Sequence, residues 1–309
     1  MILAIDIGGT KTLLALFSDG GRVMKRLKFS TDQNPEKFIK ILMKNLREMM
    51  PGARVYTISA AVVAIAATVD SAYNVNEPTL ATTFGRPLAY GNLKWDGFEF
   101  TAKVEDCIKK LFKENRCKLP KSTPKASILC GAITCCPIRI MNDANLATIY
   151  ECRKMKGRSV YLTFSTGIGG GICDDGKLNF KKSDPFEPGH HLYTWQGKKI
   201  EYEDIASANA LKEAYGLRAT DLKGMEAYQD IAVRVSTGLA DIIKAMKPDT
   251  IVVGGALGFQ LRNFRKYLLP ILAVSLNTDS SNLPKIVAAK YPLESVIYGC
   301  YMCGKEMSE

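Results

Sequence analysis

Twice in this chain a short apolar run stops at a glycine turn and resumes as a second apolar run. The first pair is Ile2-Leu3-Ala4-Ile5 and residues 13–17, with Asp6 and Gly8-Gly9 between them. The second is residues 160–164 and Gly171-Ile172-Cys173, around Gly167, Gly169 and Gly170. Glycine permits a turn tight enough for the flanking runs to pair as antiparallel strands. Segments with helical spacing follow each pair. After the first come Phe38, Ile41, Leu42, Met43, Leu46 and Met49; after the second come residues 203–215 and 225–247. Further strands are predicted at 25–30, 56–67, 138–141, 250–253 and 286–289, and further helices at 105–115, 144–154, 263–273 and 294–309. Strands alternating with helices in both halves define an α/β class. A chain of 309 residues also exceeds what one core usually serves. The expected division is a small α/β lobe over residues 1–136, with the terminal helix 294–309 packing back on it, and a large α/β lobe over 137–293.

Apolar residues make up 47% and charged residues 24%, enough apolar material to exclude a disordered chain. No run approaches the ~18 apolar residues of a spanning helix. A strand directly after Met1 leaves no room for a signal peptide. The nine cysteines are odd in number and irregularly spaced. They read as reduced thiols of a cytoplasmic enzyme, not as a disulfide framework. Lys and Arg number 42 against 31 Asp and Glu, a net charge of +11. The densest basic stretches, 103–125 and 181–199, are diluted with acids, prolines and aromatics. The charge therefore predicts attraction for anionic substrates, with no nucleic-acid or membrane partner.

Four segments can carry chemistry. In Asp6-Ile7-Gly8-Gly9-Thr10-Lys11-Thr12, backbone N–H groups, hydroxyls and an ammonium can meet a phosphate. Asp6, at a strand end, is placed to hold Mg²⁺ directly or through water. The plainer reading is a hairpin with a buried Asp. Ser165-Thr166-Gly167-Ile168-Gly169-Gly170-Gly171 holds four glycines in five positions, more than a turn requires, and close approach of a phosphate would explain the excess. Residues 251–258 run from a strand through Gly254-Gly255 into small residues that open a helix, fit for a nucleoside face or for plain strand–helix packing. In Met141-Asn142-Asp143-Ala144-Asn145, Asp143 reads equally as a helix N-cap and as a general base. Gly171 to Lys177 matches the start of a P-loop, but Leu178 and the turn at Asp174-Asp175-Gly176 exclude that motif.

The order of these segments resembles that of the actin-like sugar kinases, and over nearly its whole length the chain is similar to the ROK family (repressors, open reading frames and sugar kinases). The resemblance implies a two-lobed actin-like (ribonuclease H-like) ATPase fold, with nucleotide and sugar in the interlobe cleft. It implies phosphate contacts at Gly8, Gly9, Thr10, Lys11, Thr12, Thr166 and Gly167, and an adenosine motif at Gly254 and Gly255. Asp6 would serve Mg²⁺, and Asp143 of the Asn142-Asp143 pair would be the catalytic base. The chain's only two histidines lie in Glu187-Pro188-Gly189-His190-His191, which resembles the family's Glu-x-Gly-His. There Glu187 and His190 would hold sugar hydroxyls, joined by Asn142, Asp143 and Glu203. Asn92 matches a sugar-contacting Asn, with different flanks. The implied activity is transfer from Mg·ATP to a hexose hydroxyl, the 6-OH as in glucokinases. The expected assembly is a homodimer.

The departures from the family are equally specific. Residues 194–201, Thr-Trp-Gln-Gly-Lys-Lys-Ile-Glu, stand where many relatives carry Cys-x-Cys-Gly-x-x-Gly-Cys, and no cysteine occurs between Cys173 and Cys300. Tetrahedral zinc needs those thiolates, so the expectation is no zinc and a His190 with both ring nitrogens free. Ala66-Ala67-Thr68-Val69-Asp70 stands where Gly-Pro-Gly runs are common. A repressor would need a helix-turn-helix ahead of the first motif, yet Asp6 lies at the very start. A catalytically inactive sugar-binding protein of the same fold is the alternative. Retention of Asp6, Asp143 and both phosphate turns points away from it.

Overall fold

The computed structural model describes residues 1–51, 56–70, 83–90, 93–115, 136–179 and 186–308. They form two units, Met1–Leu146 with Val296–Glu309, and Ala147–Ser295.

In the first unit, β1 (Ile2–Ile7), β2 (Lys11–Phe17) and β3 (Val23–Ser30) form an antiparallel meander, followed by α1 (Pro35–Met49) and β4 (Ala60–Ile65). A short ribbon pairs β5 (Ala67–Asp70) with β7 (Arg86–Tyr90), and β6 (Thr83–Phe84) precedes β7. α2 (Phe100–Glu114) and β8 (Ile138–Asn142) follow, and α3 (Asp143–Cys152) passes into the second unit at Ala147. The sheet order is β3-β2-β1-β4-β8-β6, with β1, β4 and β8 parallel. Every residue of β4 is buried, as befits a parallel strand covered on both faces. Asn34 caps α1 by accepting from the Lys37 N–H at 3.0 Å, and Pro35 opens the helix. Phe38, Leu42 and Leu46 of α1 join Val104, Ile108 and Leu111 of α2 in one core.

The second unit repeats the plan. β9 (Arg158–Phe164), β10 (Ile168–Asp174) and β11 (Lys177–Leu178) form the meander. The hairpin β12 (Leu192–Trp195) and β13 (Lys198–Glu201) leads into α4 (Tyr202–Ala206), α5 (Ala208–Tyr215) and α6 (Met225–Met246). β14 (Thr250–Gly254), α7 (Gly255–Leu276) and β15 (Lys285–Ala288) complete a sheet ordered β11-β10-β9-β14-β15, with β9, β14 and β15 parallel. The last helix, α8 (Ser295–Glu306), belongs to the first unit. Its Gly304 abuts Ile2 and Val62, and its Tyr301 hydroxyl donates to the Asp19 carbonyl at 2.8 Å.

Several boundaries differ from the sequence reading. The first unit runs to residue 146 rather than 136, because β8 pairs with β4 inside the first sheet. The run 56–67 divides at Ala66, where the chain leaves the sheet for the β5–β7 ribbon. The helix expected over 203–215 breaks at Ser207, whose hydroxyl accepts from the Ala210 N–H at 3.1 Å and caps α5. α7 begins at Gly255 rather than at 263. The β12–β13 hairpin was not anticipated. Its turn places Gln196 and Gly197 at φ of 50° and 77°, a left-handed pair for which Asn-Gly is the usual signal. Cys107, Cys152, Cys173, Cys300 and Cys303 are buried thiols. No helix among the described residues is long and apolar enough to cross a membrane.

Gly299 of α8 lies directly on the Leu146 backbone, where an added Cβ has no room. Gly299→Ala is therefore expected to cost about 1–3 kcal/mol through overpacking. Thermal melts would register this as a lowered midpoint; an unchanged midpoint would mean that α8 packs loosely here.

Candidate active site

In the first unit three parallel strands bring the acidic candidates together. Ile7 of β1 pairs with Ile65 of β4, which pairs with Asn142 of β8. Asp6 precedes the end of β1 and Asp143 follows the end of β8, so both lie at the carboxyl edge of the sheet. Asn142 Oδ1 accepts from the Asn145 N–H at 3.0 Å, and its Nδ2 donates to the Ala67 carbonyl at 3.1 Å. Asn142 is thus the cap of α3. Asp143 is the first helical residue, with Oδ1 accepting from the Ala144 N–H at 2.8 Å. Burial foremost, and then the Asp143 charge, push the Asp6 carboxyl up to about 8 against a partial offset from Lys28. Two half-buried carboxylates that repel each other are a hard-oxygen donor set suited to Mg²⁺.

The turn after β1 closes through the Gly8 N–H on the Lys11 carbonyl at 3.0 Å. Gln33 Nε2 donates to the Gly9 carbonyl at 2.8 Å, and the Thr31 N–H donates to the Thr10 carbonyl at 3.0 Å. Thr10 and Lys11 are exposed. The expectation for Thr12 is corrected. It is fully buried, and its hydroxyl shares a 2.9 Å hydrogen bond with that of Thr31, so it anchors the turn from within.

In the second unit the β9–β10 turn is Ser165-Thr166-Gly167, with Thr166 and Gly167 partly exposed. The neighbouring glycines have local reasons. Gly169, Gly170 and Gly171 belong to β10, not to the turn. A Cβ on Gly170 would strike the Phe186 ring at 2.6 Å and the Tyr161 carbonyl at 2.9 Å, and one on Gly171 would strike Thr148 of α3. The glycine excess attributed to phosphate is thus explained, at these two positions, by strand and helix packing. Gly254 and Gly255 are both buried. Gly254 is overlain by the Tyr161 hydroxyl; Gly255 has φ of 70° and abuts the Phe164 carbonyl. Packing accounts for both.

Three of the sugar-site candidates, Glu187, His190 and Glu203, lie around one short turn of the second unit. Pro188–His190 is a single 3₁₀ turn, preceded by Glu187. Gly189 is wedged against the Ile168 carbonyl and Glu203 Oε2, and Glu203 Oε2 accepts from the Ile168 N–H at 3.2 Å. His190 Nδ1 lies 2.9 Å from Glu201 Oε2, so the ring does not have both nitrogens free as expected. That bond foremost, with the charges of Glu203 and Glu187, raises the His190 pKa. Glu201 was not among the sequence candidates. The signal was its position at the last cysteine of the missing zinc run. Asn92 lies outside the described residues.

Two α/β units, each a β-meander continued by parallel strands, constitute the fold of the actin-like ATPases. The ROK family profile matches residues 2–299, and the chain belongs to the ROK family. It is 26% identical over 284 residues to an N-acetylmannosamine kinase of Vibrio cholerae, covering 83% of this chain and 84% of that protein. Among solved structures it resembles a ROK family glucokinase from Streptomyces griseus in complex with glucose and AMPPNP, with a TM-score of 0.70 and 19% identity over 97% of this chain and 98% of that one. It also resembles a ROK family transcriptional regulator, a homologue of the E. coli MLC protein, with a TM-score of 0.62 and 15% identity. That match covers 99% of this chain and 78% of the regulator.

Two predictions follow from this geometry. Without Mg²⁺, folded Asp6 retains a proton that the unfolded chain releases above its ordinary 3.8, so stability falls as pH rises toward about 8. Asp6→Asn is expected to melt higher than the parent, by a margin that widens from pH 5 to pH 8. A margin independent of pH would mean that the carboxylate is ionised without cost. Gly171→Ala is expected to lower the melting temperature through its clash with Thr148 and to leave ATP affinity unchanged. A selective loss of ATP affinity would return Gly171 to the phosphate site.

Proposed function

We propose that the chain is an ATP-dependent sugar kinase that phosphorylates a hexose, at the 6-OH, with Asp143 as general base. The observation that carries this reading is the division of labour at the start of α3. Asn142 supplies the cap, so the carboxylate beside Asp6 is not needed for it. Asp143 would accept the proton of the attacking hydroxyl, a task that needs an ionised carboxylate within hydrogen-bond reach. Asp6 would hold Mg²⁺, directly or through water, and the bound ion would neutralise charge on the transferring phosphoryl group. Gly8, Gly9, Thr10 and Lys11 on one turn, and Thr166 and Gly167 on the other, would position the phosphates. Gly254 and Gly255, themselves packed against Tyr161 and Phe164, would shape the strand end that borders the adenosine. Glu187, His190, Glu203 and Asn142 would orient the sugar. In such chemistry positioning and electrostatics supply most of the acceleration.

The names of the relatives support a sugar as acceptor. The Vibrio cholerae protein makes N-acetylmannosamine a necessary member of any acceptor panel, beside glucose, fructose and mannose. The sensor reading is disfavoured by the paired acids, which a binding protein does not need. A homodimer without zinc, in the cytoplasm, belongs to the same proposal.

Asp143→Asn keeps the shape of the residue and removes the base. Turnover on the best sugar is expected to fall by ~10²–10⁴-fold, with ATP binding by calorimetry retained. A variant near parental turnover would remove Asp143 from the chemistry. A parent with no turnover on the whole panel would favour the sugar-binding alternative.

A further inference from the structure

We propose that Glu201 is a positioning residue, holding the His190 ring in the orientation and tautomer in which it meets the sugar. The proposal rests on the sugar-kinase reading of this site. His190 needs such a partner. Its side chain is 51% exposed and ends a one-turn helix, so packing alone does not fix its torsions. The contact that does is the 2.9 Å approach of Nδ1 to Glu201 Oε2. An ionised carboxylate only accepts, so the proton resides on Nδ1. In the neutral ring Nε2 is then left as an acceptor, suited to a sugar hydroxyl.

Glu201 is itself held by the fold. It ends β13 and pairs in register with Leu192, two residues beyond His190. The next residue, Tyr202, donates its N–H to the His191 carbonyl at 2.9 Å. The hairpin thus clips its two ends together, one carrying the imidazole and the other the carboxylate. Glu203 follows on α4, tied to the Ile168 N–H. One ligand-capable atom each from His190, Glu201 and Glu203 falls within a 4.8 Å cluster. In the run 194–201, where the family resemblance puts zinc-binding cysteines, Glu201 occupies the last position. A hydrogen bond from a hairpin end here takes the orienting part that a metal would otherwise play.

Exposed ion pairs contribute little to stability, so the effect belongs in substrate binding. Glu201→Ala is expected to raise the sugar KM about tenfold, with the ATP KM within about twofold and the melting temperature nearly unchanged. Glu201→Gln retains an acceptor and should recover most of the loss. Because Glu201 acts through His190, adding Glu201→Ala to His190→Ala should cost nothing more.

A second readout does not depend on turnover. The chain has two histidines, so His191→Ala leaves one imidazole for ¹⁵N spectroscopy. The Nδ1–H form is expected to dominate in that background and to give way to a mixture once Glu201→Ala is added. Additive losses in the double variant would overturn the proposal. So would an unchanged tautomer, or activity that disappears with a zinc chelator in excess Mg²⁺ and returns with zinc. If no sugar is turned over, the sugar-kinase reading fails, and the tautomer measurement still decides whether Glu201 sets the ring.

Discussion

The parallel register of β1, β4 and β8 is the constraint on which the candidate active site depends. Ile7, Ile65 and Asn142 form one row across three strands, and a slip of a single residue would turn each flanking side chain to the opposite face. Every residue of β4 is buried, so such a slip would repack both covered faces of the sheet. In open α/β sheets, ligands gather beyond the carboxyl ends of the strands. Here that edge gathers Asp6 and Asp143, and the strands behind them hold the two carboxyl groups near each other. Asn142 completes the arrangement by tying α3 to the Ala67 carbonyl.

Glycine carries two meanings in this chain. At Gly8 a backbone turn closes on Lys11, leaving Thr10 and Lys11 exposed at its tip. At Gly170, Gly171, Gly254 and Gly255 the missing side chain makes room for Phe186, Thr148, Tyr161 and the Phe164 carbonyl. A sequence shows only that glycine is present. Whether a phosphate or a neighbouring tyrosine occupies the vacated volume is a tertiary fact.

The parts legible beforehand were those set by local pattern. The first meander, the β9–β10 hairpin, α1 and the α/β class follow from hydrophobic period and turn residues, and the family frame follows from the order of short motifs. The parts that were not legible depend on pairings across distance. β8 could be assigned to its unit only through its pairing with β4. The hairpin from Leu192 to Glu201 turns on Gln-Gly, a weak signal, and its strands mix lysines with aromatics in a run without clean alternation. Glu201 was hidden for the same reason. Its importance comes from lying opposite the chain that carries His190. Asp143 stayed ambiguous because a cap and a base are the same residue in a sequence; the hydrogen bond from the Asn145 N–H shows that Asn142 takes the cap.

The two units share a topology and differ in what ends their strands. In the first, the central row terminates beside two carboxylates. In the second, Gly254 pairs with Thr163 at the corresponding edge, and the chain continues into Gly255 and the small Ala256. An acidic edge suits a cation and a proton acceptor. An edge of glycine and hydroxyl residues excludes no flat, neutral or anionic group by charge, and it admits close approach wherever the packed side chains leave space. A repeated strand plan has thus been given two chemistries by a few residues at the strand ends. Substitutions there can change the reaction without touching the buried rows that hold the sheets together.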